Sequence, residues 1–333
     1  CNESNTKNLV YVYAPFYGLG GRLSVIATAL GFVSSQSTIK EIVLDAKTAK
    51  CLEYPREINL SKNNRHYEIL LRNLASHFLE YILFGKNYIS EKNIASYDSS
   101  ESFRDKKQNV VIVSRDNLAH YQNKNESMID VCRRLYEKII PSCAVLDTLA
   151  KIESDFNLYD VYDKALAVHI RHGNGEKYYS SVRKLWGVKP PSSKKIFNAI
   201  QAALKDNEYI DTIILSSDCK AVFSYIKNLF PNYKVIFISR LIQEIGLGCN
   251  HNQSLFNKAF LKYRAEVDIN YEDEIVFAEI LALSRCKALC GGSSYFFDAV
   301  KYFSDCDIDK IYYLDNKDRY IKIDEAFKPL SEA

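Results

Sequence analysis

Residues 165–176 read Ala165-Leu166-Ala167-Val168-His169-Ile170-Arg171-His172-Gly173-Asn174-Gly175-Glu176. Ala165–Ile170 is a short apolar run of the kind that forms a buried strand. It gives way abruptly to Arg171, His172, two glycines spaced by Asn174, and Glu176. In an open α/β sheet, ligands bind just beyond the carboxyl ends of strands. A guanidinium delivered there grips a diphosphate bidentately. Gly173 and Gly175 let backbone amides come close to an anion. Glu176 adds a carboxylate that can take a proton, so one loop can hold a phosphorylated leaving group and deprotonate a nucleophile.

Two more apolar runs in the second half end in the same manner. Thr212–Leu215 runs into Ser216-Ser217-Asp218, and Ala288–Cys290 runs into Gly291-Gly292-Ser293-Ser294. Helical stretches at Ile196–Leu204, Lys220–Phe230 and Glu272–Ser284 separate the strands, with further strands at Val235–Ile238 and Ile311–Leu314. Such alternation predicts a parallel sheet. All three polar endings then collect at one edge. Arginine serves a phosphate, Asp218 the ribose hydroxyls or a guanine edge, and the Ser293–Ser294 turn a second phosphate through hydroxyls and a helix start. Together they describe a sugar-nucleotide pocket.

The first half opens with a strand at Leu9–Ala14, the turn Gly18-Leu19-Gly20-Gly21-Arg22 and a helix at Leu23–Val33. That is the start of a Rossmann-like unit, although Leu23 stands where a dinucleotide fingerprint needs a small residue. Strands at Glu41–Leu44 and Val110–Val113 and helices at Tyr67–Phe84, Met128–Ile140 and Ala144–Phe156 follow. Lys86–Gln108 is polar and without periodicity, either an acceptor-side loop or an insertion. The expected boundary lies near 158–164, giving an acceptor-side domain over 1–160 and a nucleotide-sugar domain over 161–333.

A family resemblance rests on these motifs. The His169–Glu176 loop resembles the signature loop of the nodulation-type α-1,6-fucosyltransferases and, more loosely, the His-x-Arg-Arg-Thr-Asp-Lys loop of their animal counterparts. Gly18–Leu23 is similar to a Gly-Leu-Gly-Asn-Arg-Leu opening in several fucosyltransferase groups, with Gly21 in place of Asn. Ser217-Asp218-Cys219 stands where the animal enzymes have Thr-Asp-Asp, so one carboxylate of two carries over. The run Leu283–Ser294 matches a helix, Cys and Ser-Ser turn, while a family Asp in that helix falls at Ala278, one position before Glu279. The likeness is strong over 165–315 and weak before it.

What the resemblance implies is an α/β fold of two Rossmann-like domains facing across a cleft, the GT-B arrangement. It implies an inverting fucosyltransferase that uses GDP-fucose, needs no metal or other cofactor, and transfers to a glycan or glycolipid acceptor. Nucleotide-sugar contacts would come from His169, Arg171, His172, Gly173, Asn174, Asp218, Ser293 and Ser294, with Gly20, Gly21 and Arg22 from the first domain. Arg171 and Glu176 would be catalytic, Glu176 as general base. On the residues alone, His169 reads equally as a histidine bracing the loop. A GT-B transferase for another nucleoside-diphosphate sugar, and a catalytically silent glycan- or nucleotide-binding protein, remain the alternatives.

Bulk properties agree with this class. The chain has 333 residues, enough for two α/β domains, with 47% hydrophobic and 26% charged residues. A net charge of +3 argues against a nucleic-acid binder that works by neutralising phosphates. Its nine scattered cysteines, with no Cys-x-x-Cys, suit reduced thiols in the cytosol. No apolar run is long enough to span a membrane, so the expected place is the cytosol, peripheral membrane association being the variant. Cys1 fits a trimmed, a Met-excised or a processed start. Asp305-Cys306-Asp307-Ile308-Asp309 contains Asp-x-Asp, a metal motif of the other large glycosyltransferase fold. Here it precedes a strand instead of following one, and no metal is expected there. His169 and His172 as a metal pair, and Cys249-Asn250-His251, lack the ligand sets a metal needs.

Overall fold

The computed structural model of the protein describes residues 8–12, 18–35, 39–44, 48, 50–53, 59–61, 109–113, 116–171, 193–217, 220–240, 269–292, 294–314 and 320–322. The expected helix at 67–84, the polar segment 86–108 and His251 lie outside them.

Two sheets carry the fold. The first is parallel throughout, in the order β4 (Asn59–Ser61), β2 (Ile39–Val43), β1 (Asn8–Val12), β5 (Asn109–Val113). The second runs β12 (Tyr320–Lys322), β11 (Ile311–Leu314), β10 (Ala288–Gly292), β7 (Ala165–Ile170), β8 (Thr212–Ser217), β9 (Lys234–Phe237). Only β12 is antiparallel there. Every residue of β7 and β8 is buried, as their unbroken apolar runs require of central parallel strands. The strands of the first sheet all precede residue 114 and those of the second all follow residue 164.

Helices fill the space between the sheets. α1 (Leu19–Ser35) is buried continuously from Leu19 to Gly31, the behaviour of a helix apolar on all sides. It packs against α2 (Met128–Tyr136) and, from the second unit, α7 (Tyr295–Phe303). α3 (Cys143–Phe156) lies along α6 (Ile269–Ser284). One hydrophobic core therefore runs from Leu23 and Ile26 of α1 through Leu149 of α3 to Phe277 and Phe297. α4 (Ser193–Asp206) and α5 (Lys220–Leu229) cover the other face of the second sheet in a separate cluster around Ile200, Ile213 and Ile226. Serine caps start three of the helices, with Ser127, Ser142 and Ser294 each accepting a hydrogen bond from the third backbone N–H onward.

Two expectations need correction. Gly20, Gly21 and Arg22 do not form a turn ahead of the helix; α1 begins at Leu19, and the Arg22 N–H donates to Gly18 O at 3.0 Å. The cause is contact with the second unit. A Cβ on Gly20 would meet the carbonyl oxygen of Tyr295 at 2.5 Å, so this first turn is glycine because another helix start lies against it. α2 ends at Tyr136, short of Ile140, because Ile140–Pro141 forms β6, which pairs with β3 (Leu52–Glu53). The residue before a proline is also disfavoured in a helix.

Among the described residues, Cys51, Cys132, Cys143, Cys286, Cys290 and Cys306 are free thiols, and no helix is long and apolar enough to cross a membrane.

Candidate active site

Strands β8, β7 and β10 are adjacent and parallel, with His169 in register with Ser216 on one side and Gly291 on the other. Arg171, Ser217 and Gly292 consequently leave the sheet at the same edge. That is the gathering expected of the three polar endings. Arg171 is half-buried, a guanidinium at the mouth of the sheet and not within its core.

His169 lies one layer down. Its ring is buried and stacked on Phe296 with centroids 4.3 Å apart. Ser294 Oγ lies 3.5 Å from Nδ1, at the outer limit of a hydrogen bond. Burial first, and the charge of Arg171 second, lower its pKa to about 3. The imidazole is neutral in the working range, which leaves Arg171 as the formal positive charge among the described residues of this strand end. Ser294 caps α7, accepting from Phe297 N–H at 3.1 Å. The free amides of α7 thus open beside the strand end that carries Arg171, an anion-binding arrangement. Close seating of α7 on β10 demands Gly291, where a Cβ would lie 2.6 Å from the Phe297 ring.

A buried carboxyl braces the neighbouring strand ends. Glu279 of α6 is 5% exposed. Its Oε1 accepts from the Arg240 N–H at 2.8 Å, and its Oε2 from the Ser216 hydroxyl at 3.4 Å. Ser239 Oγ donates to Ser216 at 2.9 Å and accepts from the Ser217 N–H at 2.9 Å. The ends of β8 and β9 are held together by this network. Burial pushes the Glu279 carboxyl up to about 7 against hydrogen bonds that favour its ionised form. A raised folded pKa means the native state resists ionisation, so this group's stability contribution is full below pH about 4.5 and is lost as pH rises through about 7. Glu279→Gln, which mimics the neutral acid, should flatten stability between pH 5 and 8 and gain about 3 kcal/mol above pH 8. Urea unfolding across that range checks it, and an unchanged pH profile would remove Glu279 as its source.

Of the first-unit residues, Gly20 lies against the α7 start, where a Cβ would meet the Tyr295 carbonyl. Arg22 is buried, with Nη2 2.6 Å from Asp273 Oδ1 and Nη1 2.7 Å from Thr48 Oγ1. His172, Gly173, Asn174, Glu176, Asp218 and Ser293 lie outside the described residues. Asp305 and Asp307 line a cavity of about 550 Å³ with Leu149 and Phe303, at the amino end of β10 and opposite the Arg171 edge. Asp307 pairs there with Lys310 at 3.4 Å. Among the described residues, no group of three or more His, Cys, Asp or Glu is placed to hold a metal. Asp273 and Asp116 escaped the sequence. Asp116 had one available signal, an acidic residue shortly after an apolar strand, Asn109–Val113.

Two parallel-sheet Rossmann-like units with their helix starts brought together define the GT-B class of fold. No family model and no curated protein sequence matches the chain; solved structures do. The chain is similar to the NodZ α-1,6-fucosyltransferase in a crystal soaked with GDP-fucose, at a TM-score of 0.55 and 11% identity, covering 95% of this chain and 99% of that one. Fucosyltransferase NodZ from Bradyrhizobium gives 0.54 and 12%, covering 95% and 98%. A NodZ crystal grown with GDP gives 0.54 and 12%, covering 95% and 97%. What the chain shares with these proteins is the fold over nearly its whole length.

Proposed function

We propose that the chain is an inverting, metal-independent fucosyltransferase that moves fucose from GDP-fucose to a glycan or glycolipid acceptor, working in the cytosol. The observation that carries this is the convergence of Arg171, Ser217 and Gly292 at one edge of a parallel sheet, against the capped start of α7. The shared fold supports the donor, since the similar crystals were soaked with GDP-fucose or grown with GDP.

As the glycosidic bond breaks, negative charge gathers on the departing GDP. Arg171, the Ser293–Ser294 turn and the α7 amides stabilise it without a divalent cation. Asp218 serves the nucleoside, with Glu279 fixing the strand ends around it. His172, Gly173 and Asn174 complete the diphosphate loop. Inversion needs the acceptor hydroxyl to attack from the face opposite GDP and lose a proton to a carboxylate, for which Glu176 is the candidate within the loop.

GDP should raise Tm more than UDP, ADP or CDP at equal concentration, because ligand that binds only the native state shifts unfolding by mass action. The shift should persist in EDTA. Equal shifts from all four nucleotides would remove the guanine assignment. A GDP shift without turnover of GDP-fucose would leave a silent binding protein.

A further inference from the structure

Asp116 lies three residues past the carboxyl end of β5, on the first sheet. It is exposed. Its Oδ1 accepts from the Tyr295 hydroxyl at 3.3 Å and its Oδ2 from the Ser24 hydroxyl at 3.4 Å. The next residue is tied down as well, the Asn117 N–H donating to Thr28 Oγ1 at 3.0 Å. Tyr295 is the first residue of α7 and directly follows Ser294, the residue beside His169. A carboxylate of the first unit therefore stands at the start of the helix that the donor reading assigns to the diphosphate. Both hydrogen bonds are long, and each carboxylate oxygen keeps further acceptor capacity.

We propose that Asp116 is the general base that takes the proton of the attacking hydroxyl. The inference rests on the donor reading above and deepens it, assigning to the first unit the role for which Glu176 is the loop's candidate. The acceptor O–H proton passes to Asp116 as the acceptor oxygen bonds to the fucosyl anomeric carbon. The bond from that carbon to the β-phosphate oxygen breaks, and its electron pair leaves with GDP. A base is most effective when its pKa approaches the working pH, and desolvation is the largest influence on Asp116, raising its carboxyl from the usual value. Asp298 of α7 raises it further, while the Tyr295 and Ser24 hydroxyls act in the opposite sense. From α2, Cys132 and Tyr136 also face it. Burial pushes the thiol up to about 12 and the phenol up as well, so both stay neutral in the working range.

The test uses the full chain with GDP-fucose and water as the acceptor, reading GDP release. Asp116→Asn should lower kcat at least about a hundredfold, keep the wild-type GDP shift in Tm, and lack the fall in kcat toward acid pH expected of wild type. Asp116→Glu should recover part of the rate. Near-normal turnover in Asp116→Asn, or loss of its GDP shift, would each overturn the assignment while leaving the donor reading standing. Wild-type protein that binds GDP but releases none from GDP-fucose would overturn both.

Discussion

Arg171→Ala will abolish most of the GDP-induced rise in Tm and leave the unliganded Tm close to wild type. At a ligand concentration a hundredfold above Kd, selective binding stabilises by about 2.7 kcal/mol. Arg171 stands at a strand end, half-buried, so its removal takes no packing out of the core. Loss of its charge also relieves a minor burden on buried His169. Arg171→Lys should fail almost as badly, because a point ammonium does not reproduce the bidentate fork. Thermal unfolding with and without GDP, on all three proteins, checks this. A full GDP shift in Arg171→Ala would move the diphosphate elsewhere.

The second large effect concerns stability and not binding. Arg22 and Asp273 form a buried ion pair between α1 of the first unit and α6 of the second. Removing one partner strands a buried charge, at a cost of about 3–5 kcal/mol. Arg22→Ala should therefore lower unfolding free energy by that amount. The double replacement Arg22→Met with Asp273→Leu should lose much less, since apolar groups of similar volume often substitute for a buried pair. Whatever fraction of Arg22→Ala remains folded at low temperature should still show the GDP shift, because the guanidinium is engaged with Asp273 and Thr48. Denaturant titrations of the three proteins decide the first point. Loss of the GDP shift in folded Arg22→Ala would return Arg22 to the nucleotide site.

The contrast between Arg171 and Arg22 shows what a single sequence makes legible. β7 and β8 are buried throughout and β10 nearly so, so each is mainly apolar, and the polar residues at or just past its end gather at the edge of the sheet. That pattern is local and could be read directly. The role of Arg22 depends on Asp273, 251 positions away, and no local pattern announces such a partner. Gly20 looked like a turn glycine, yet its constraint is the Tyr295 carbonyl, again a long-range contact. His169 was legible only as an alternative: its stacking on Phe296 and proximity to Ser294 make it a brace beneath Arg171. In the sequence, Glu279 stands out only for being one residue from a family position. Its hydrogen bonds to Ser216 and Arg240 depend on two strand ends and a helix meeting.

The most direct test of fucosyl transfer is a proton NMR time course of the protein with GDP-fucose in EDTA, water serving as acceptor. The account predicts release of GDP and a first-formed free fucose of anomeric configuration opposite to that in the donor. Fucose of retained configuration, turnover only when a divalent metal is restored, or intact GDP-fucose in the presence of a GDP-binding protein would contradict it.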